Sequence, residues 1–414
     1  MTTTKAPPTL DHHDERLLTT TGFTGELRGL WSTVRGGDIG SLPVIIGLIL
    51  ISIVFQTLNP YFLSSANLVN LTLESSAVGT IAIGIVLVLL LGQIDLSVGS
   101  ISGLAAAIVG VGLTQLHWPL LLCIIVAIVA GAVTGLVYGM LFVRFGVPTF
   151  VITLAGLLGI LGIQLYILGA NGSINIPFDT WIVQFAQQMF LPPVVAYGLV
   201  IVAVTLSTVA SLAAARKRRA VALSSPSTAG IVVRGAILLI VLLGITWYLN
   251  TTRGVALMFV FFLALVLVGN YALTRTKWGR SVFAVGGNVE AARRAGIRVN
   301  RIYVSVFVLC STLAAVGGIL AAARLASANV SSGGGDTNLN AIAAAVIGGT
   351  SLFGGRGSAF SALLGILVIS AISSGLTLLS LDSSIRFMIT GAVLLIAVII
   401  DSLSRRSRAA HGRA

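Results

Sequence analysis

Apolar runs long enough to cross a bilayer recur along the chain from residue 41 to residue 403, separated by short polar turns. A spanning helix needs roughly 20 apolar residues. Runs at 41–58, 75–93, 98–115, 119–143, 148–169, 193–214, 230–249, 255–273, 303–324, 341–354, 358–380 and 386–403 therefore predict an all-α polytopic membrane protein of about twelve spans. The tenth run, NAIAAAVIGGTSLFGG, is too short to cross and reads as a half-helix or re-entrant piece. That leaves a count of about ten to fourteen. Only 9% of the 414 residues are charged, against about 25% in a soluble domain, so a water-soluble globular fold is excluded.

The formal net charge of +13 then becomes a question of sidedness. In a soluble protein it would suggest a nucleic-acid partner, but short cytosolic segments of membrane proteins are themselves enriched in Lys and Arg. With both termini in the cytosol, 22 of the 25 basic residues fall inside and Arg253, Arg324 and Arg386 outside. This asymmetry predicts an N-in, C-in topology, with no nucleic-acid partner. The polar residues 1–40 carry Asp11, Asp14, Glu15, Glu26 and Asp38 ahead of any apolar core, so no cleavable signal peptide is expected. Within them Phe23, Leu27, Leu30, Trp31 and Val34 recur at helical spacing and predict a short amphipathic helix near 23–35 on the inner membrane face. The membrane domain is placed at 41–403, with basic cytosolic loops at 215–229 and 274–302 and a basic tail at 404–414.

Several chemistries are excluded. Cys123 and Cys310 both lie in apolar runs and read as small buried hydrophobes, without CxxC or Cys/His spacing. The lysines are Lys5, Lys217 and Lys277, none in a GxxxxGK[ST] context, so the chain cannot hydrolyse ATP through a P-loop of its own. His12, His13, His117 and His411 all lie outside the runs, which leaves no Ser/His/Asp set and no metal cluster. No catalytic residue, metal or cofactor is expected.

Between Glu74 and Arg144 the only charged side chain is Asp95, in LLLGQIDLSVGSISGL. A carboxylate at membrane depth costs about 2.5–3.5 kcal/mol on insertion scales and normally faces a bundle interior or a watery path. Gly92, Gly99 and Gly103 around it suggest a broken helix. Asp95 or Ser97 either caps the helix that follows, or lines a polar solute path with Gln93 and Ser100. A weak echo near the other end, IGGTSLFGGRGSAFSALLG, sets Gly348 against Gly92 and Ser358 against Ser100, with two extra residues in the second copy. Ser351 and Phe353 of that copy join the candidate path, since paired repeats often meet at a solute site.

The segment Arg275–Arg301, RTKWGRSVFAVGGNVEAARRAGIRVNR, carries seven of the inside basic residues and one compact helix signal. Asn288 suits an N-cap, Glu290 the first turn and Gly296 the left-handed exit. Such a short helix is not stable alone in water, so it must pack on the membrane domain or on a partner. Ala291, Ala292 and Ala295 would give it a small, smooth face.

Taken together, GQIDLSVGS, GGNVEAARRAGI and VIGGTSLFGGRGS, in that order, resemble the motifs of permease subunits of bacterial monosaccharide ABC importers, the ribose, galactose and xylose group. The likeness covers most of Asn59–Ser404. It implies a multi-pass subunit of the bacterial cytoplasmic membrane that carries a monosaccharide, with a cytosolic ATP-binding subunit, an extracytoplasmic sugar-binding protein and a second permease copy as partners. It also implies that Gly287, Asn288, Glu290, Ala291, Ala292, Arg293, Ala295 and Gly296 form the ATPase-coupling helix. The ribose-type permeases are shorter; the added stretch from about Pro192 to Asn250 looks most like the xylose-transport permeases, so D-xylose is the expected sugar. The alternative is a stand-alone proton-coupled carrier, which usually needs several intramembrane carboxylates or histidines, whereas Asp95 is nearly alone.

Overall fold

A computed structural model describes residues 42–170, 172–221, 223, 225–382 and scattered positions between 384 and 399. The helix expected near 23–35, most of the run at 386–403 and the basic tail lie outside the described residues. Ten helices correspond to the apolar runs 41–58 to 303–324 and 358–380. They are α1 (Leu42–Leu58), α2 (Ser65–Leu90), α3 (Val98–Thr114), α4 (Leu120–Phe145), α5 (Thr149–Leu168), α7 (Pro193–Ala220), α8 (Thr228–Leu249), α9 (Leu257–Arg275), α12 (Val299–Leu325) and α14 (Ala359–Leu378). Eight of these are long and apolar enough to cross a membrane; α1 and α3 are shorter. The short tenth run gives only thirteen helical residues, α13 (Gly335–Ile347). Three further short helices, α6 (Trp181–Gln187), α10 (Lys277–Gly287) and α11 (Val289–Arg294), fall in polar connections. A ribbon of β1 (Ser173–Asn175) and β2 (Ser327–Asn329) pairs antiparallel, Ile174 opposite Ala328.

The described residues fall into two compact units, one of Leu191–Val255 and one of residues 42–190 with Ala256 onward. The smaller unit is an α7–α8 hairpin closed by backbone pairing of Leu191 with Val255. Gly235 of α8 lies against Thr208 of α7. The Arg219 guanidinium ties the turn by donating to Ser225 Oγ, Thr228 Oγ1 and the Pro226 carbonyl at 2.7–2.8 Å. Few of its side chains are buried, as expected of helices whose solvent is lipid.

In the larger unit α12 is the centre, packed by α2, α3 and α4. Lipid tails offer no hydrophobic reward for helix association, so close backbone approach through small residues has to supply it. On α4 Gly131, Gly135 and Gly139 recur every four residues and form one face. A Cβ on each would overlap Ser311, Phe307 and Val304 of α12 in turn, which makes the pair antiparallel.

The innermost helix is α3. At about 1.5 Å per residue it is roughly 25 Å long, short of the roughly 30 Å hydrocarbon core. Fifteen of its seventeen residues are buried. Gly110 lies against Ala328, Gly103 against the Ser332 carbonyl and Gly99 against the Gly333 carbonyl, so the chain from β2 to the start of α13 runs antiparallel along the glycine face of α3. Irregular backbone at membrane depth is tolerated only where protein satisfies it. Here the fully buried Gln164 of α5 does so, its Nε2 donating to the carbonyls of Asn329 and Ser332 at 3.1 and 3.0 Å.

Candidate functional site: two helix breaks and a basic segment

The first break lies between α2 and α3. Gly92 takes a left-handed φ of +68°. Asp95, only 1% exposed, folds the following residues into a turn. Its Oδ1 accepts from the Ser97 amide at 2.8 Å and from the Ser97 hydroxyl at 2.7 Å, and the Cys310 thiol of α12 donates to Oδ2 at 3.8 Å. Ser97 occupies the N-cap of α3, but its hydroxyl is committed to Asp95 and makes no cap bond to the helix. That duty falls to Asn338 of α13. Asn338 Oδ1 accepts from the Gly99 amide while its Nδ2 donates to the Leu96 carbonyl, so one side chain satisfies backbone on both sides of the N-cap. Gln93 accepts from the Thr149 hydroxyl at 2.8 Å, and Ser100 donates to the Leu157 carbonyl at 2.9 Å. Gln93, Asp95, Ser97 and Ser100 therefore lie together around one break, and each is engaged by bonds within the protein.

The second break, 348–358, separates α13 from α14. Gly365 lies against Ala344 and Gly348 against Ser361, so α14 folds back antiparallel along α13 in a re-entrant hairpin. By contrast α3 packs on α4, α5 and α12 instead of returning along α2. The cap positions also shift the alignment of the two breaks. Ser358 is the N-cap of α14, its hydroxyl accepting from the Phe360 amide at 3.2 Å, so its structural counterpart is Ser97; Ser100 lies inside α3. The breaks thus share residue types and differ in geometry. Ser351 is buried and accepts from the Phe353 amide at 3.2 Å, whereas the Phe353 ring is about half exposed at the tip of the break.

The two breaks meet. The Gly355 amide donates to the Leu90 carbonyl at 2.8 Å, and a Cβ on Gly92 would lie 3.2 Å from the Phe353 carbonyl oxygen. A third segment joins them at Gly286 of α10, where a Cβ would overlap the Leu90 carbonyl. Three backbones from distant parts of the sequence are in direct contact at one glycine junction.

Segment 275–301 holds two helices where the sequence showed one. Thr276 caps α10 by accepting from the Gly279 amide at 3.0 Å, and Trp278, Val282 and Val285 turn one face inward. Trp278 Nε1 anchors that face by donating to Ser305 Oγ of α12 at 2.9 Å. In α11, Asn288 Oδ1 accepts from the Ala291 amide at 2.9 Å, and Glu290 in the first turn pairs with Arg293 at 3.1 Å. Gly296 exits at φ +80° while the Ile297 amide donates back to the Ala292 carbonyl at 3.1 Å. Ala292 is buried, whereas Gly287, Ala291, Arg293 and Ala295 are exposed.

The fold defines a multi-pass α-helical membrane protein. The family described as branched-chain amino acid transport system / permease component matches residues 67–398, and the chain belongs to that family. It is 35% identical over 381 residues to the xylose transport system permease protein XylH of Escherichia coli K12, covering 91% of this chain and 95% of the relative. It is 31% identical over 347 residues to XylH of Haemophilus influenzae, covering 83% of this chain and 91% of the relative. It is also 31% identical over 362 residues to the ribose import permease protein RbsC of Escherichia coli K12, covering 86% and 92%. No solved structure matches the chain. The chain is thus a non-enzymatic permease component, resident in the bacterial cytoplasmic membrane, of the monosaccharide ABC-importer kind.

Proposed function

We propose that this permease imports D-xylose, driven by ATP hydrolysis on a separate cytosolic subunit that docks on α11, and that two copies enclose the solute path. The observation that carries the sugar is the 35% identity to a xylose permease along 91% of the chain. The added 192–250 stretch, which folds as a hairpin of its own, supports the same reading. The short, doubly capped α11 supports the docking, since a six-residue helix in a basic segment is a stable handle only when held at both ends. The abundance of basic residues in 275–301 and at the α7–α8 turn favours a cytosolic position for both.

In this reading the solute path borders the exposed tips of the two breaks, Ile94 and Phe353, while Gln93, Asp95, Ser97, Ser100 and Ser351 hold those tips in place. Asp95→Asn separates the two roles of the carboxylate. Asparagine keeps the oxygen that accepts from the Ser97 amide and hydroxyl, so its folded yield should match the wild type. Asp95→Leu strands both Ser97 donors and the Cys310 thiol, and should lose about 1–3 kcal/mol for each Ser97 group left unsatisfied. Thermal melting of the purified variants measures this. Lost uptake by well-folded Asp95→Asn would put the charge itself on the path.

The reading as a whole is tested in proteoliposomes holding this permease, its ATPase subunit and its sugar-binding protein. Radiolabelled xylose should accumulate only with ATP and all components. Accumulation by the permease alone would overturn it, and selective accumulation of ribose or galactose would replace the sugar.

A further inference from the structure

Beside α11 the surface forms a shallow, open groove lined by Arg293, Ile297, Arg298, Val299, Asn300 and Arg301. It continues along α12 past Asn300, Arg301, Val304 and Ser305. The three arginines are exposed, and Arg294 stands next to them on the same helix as Arg293. Charge balance here is one-sided. From Thr180 to Val289 the sequence contains no acidic residue at all, and between 275 and 301 the only one is Glu290. Glu290 is already paired with Arg293, with both side chains more than half exposed. Among the described residues no carboxylate answers Arg298 or Arg301.

We propose that this groove is a recognition site for acidic side chains, Asp or Glu, projecting from the cytosolic ATP-hydrolysing subunit. The inference rests on the docking of that subunit at α11 and specifies what recognises it: the guanidinium fan next to the helix, and not the small alanine face alone. Charge complementarity selects the occupant. Guanidinium groups present planar pairs of donors that match carboxylate oxygens two at a time, and partly desolvated pairs of this kind set register as well as affinity. Ile297, Val299 and Val304 in the same groove give the methylenes of an acidic side chain an apolar surface to rest on.

Rigidity favours a protein partner over an anionic lipid surface. The backbone that carries the arginines is held by the Asn288 cap, by the left-handed Gly296 exit, by the Ile297 to Ala292 return bond and by the Trp278 to Ser305 bond that holds α10 on α12. A lipid headgroup, free to move and rotate, requires none of this. A partner that must transmit force in a fixed register requires all of it. Glu290 also gains a role: by occupying Arg293 in the unbound permease it screens the fan, and a partner carboxylate can take over that guanidinium on docking.

The test uses full-length permease in nanodiscs and its purified ATPase subunit, with association followed by surface plasmon resonance across a salt series. Arg298→Glu with Arg301→Glu should slow association by about tenfold or more at low salt and flatten the salt dependence. Arg298→Lys with Arg301→Lys keeps the charge and loses the fork, so it should keep most of the association rate and release the partner faster. Asp→Lys or Glu→Lys exchanges on the ATPase surface should restore binding to the glutamate variant. Wild-type binding that the charge reversals leave unchanged in rate and salt dependence would overturn the groove while leaving docking at α11 intact. No binding by wild-type permease would instead overturn the docking reading itself. If the reversals abolish only the retention of phosphatidylglycerol in nanodiscs and leave ATPase binding alone, the site belongs to lipid and the proposal fails.

Discussion

Asn338→Leu is expected to be the most damaging single change in the molecule. It leaves the Gly99 amide and the Leu96 carbonyl without partners at the buried start of α3. Each buried group left unsatisfied costs about 1–3 kcal/mol, and no water is at hand in the packed interior to replace the amide. The surrounding contacts leave little room for repair, because Gly99 and Gly103 already bring α3 against the backbone of Ser332 and Gly333. Detergent-solubilised protein should show a sharply lower folded yield on size exclusion and a lower melting temperature. A wild-type melting temperature in Asn338→Leu would show that the clasp contributes nothing.

Gly286→Ala is expected to have the second largest effect, this time on transport more than on folding. Its methyl would overlap the Leu90 carbonyl and lie 2.8 Å from the Gly355 amide, the two groups that hydrogen-bond to each other across the junction. Forcing a methylene into packed backbone costs roughly 1–3 kcal/mol, relieved here by pushing α10 away from both breaks. Gly162→Ala is the control, because nothing lies within 4 Å of a Cβ there. ATP-dependent uptake, normalised to folded protein, should fall in Gly286→Ala and hold in Gly162→Ala. Equal uptake in the two would show that the junction does not carry motion from α10 to the breaks.

Hydropathy made the apolar helices legible because lipid exposure and length leave a signal in every window. It failed at the start of α2, which begins at Ser65 and not near residue 75, because Asn67, Asn70, Thr72 and Glu74 dilute the window although the helix continues through them. The helix α10 was hidden by its glycines and charges. Its signal was present in Trp278, Val282 and Val285, spaced as one helical face, with Thr276 ahead of them as a cap. Gln164 was open to the same logic as Asp95, being a lone amide in the apolar run GILGIQLYILG. Asn338 left no such mark. An asparagine ahead of a small-residue run is ordinary, and its importance comes from partners some 240 positions away, which local patterning does not encode. The caps of α11 were legible for the opposite reason: Asn288, Glu290 and Gly296 act on their own neighbours.

The clasp of Asn338 on the first break also sets a timetable for synthesis. Leu96 and Gly99 leave the ribosome 242 and 239 residues before the side chain that satisfies them. At roughly 5–20 residues per second, the innermost helix waits roughly 12–48 s in or beside the insertion machinery with its first turn incomplete. For most of that interval the glycine face of α3 lacks the segment it will lie against, because Ser332 and Gly333 do not yet exist. A chain that stops before α13 therefore leaves the nascent centre open, not merely the rim unfinished, and presents quality-control proteases with an exposed polar helix start at membrane depth.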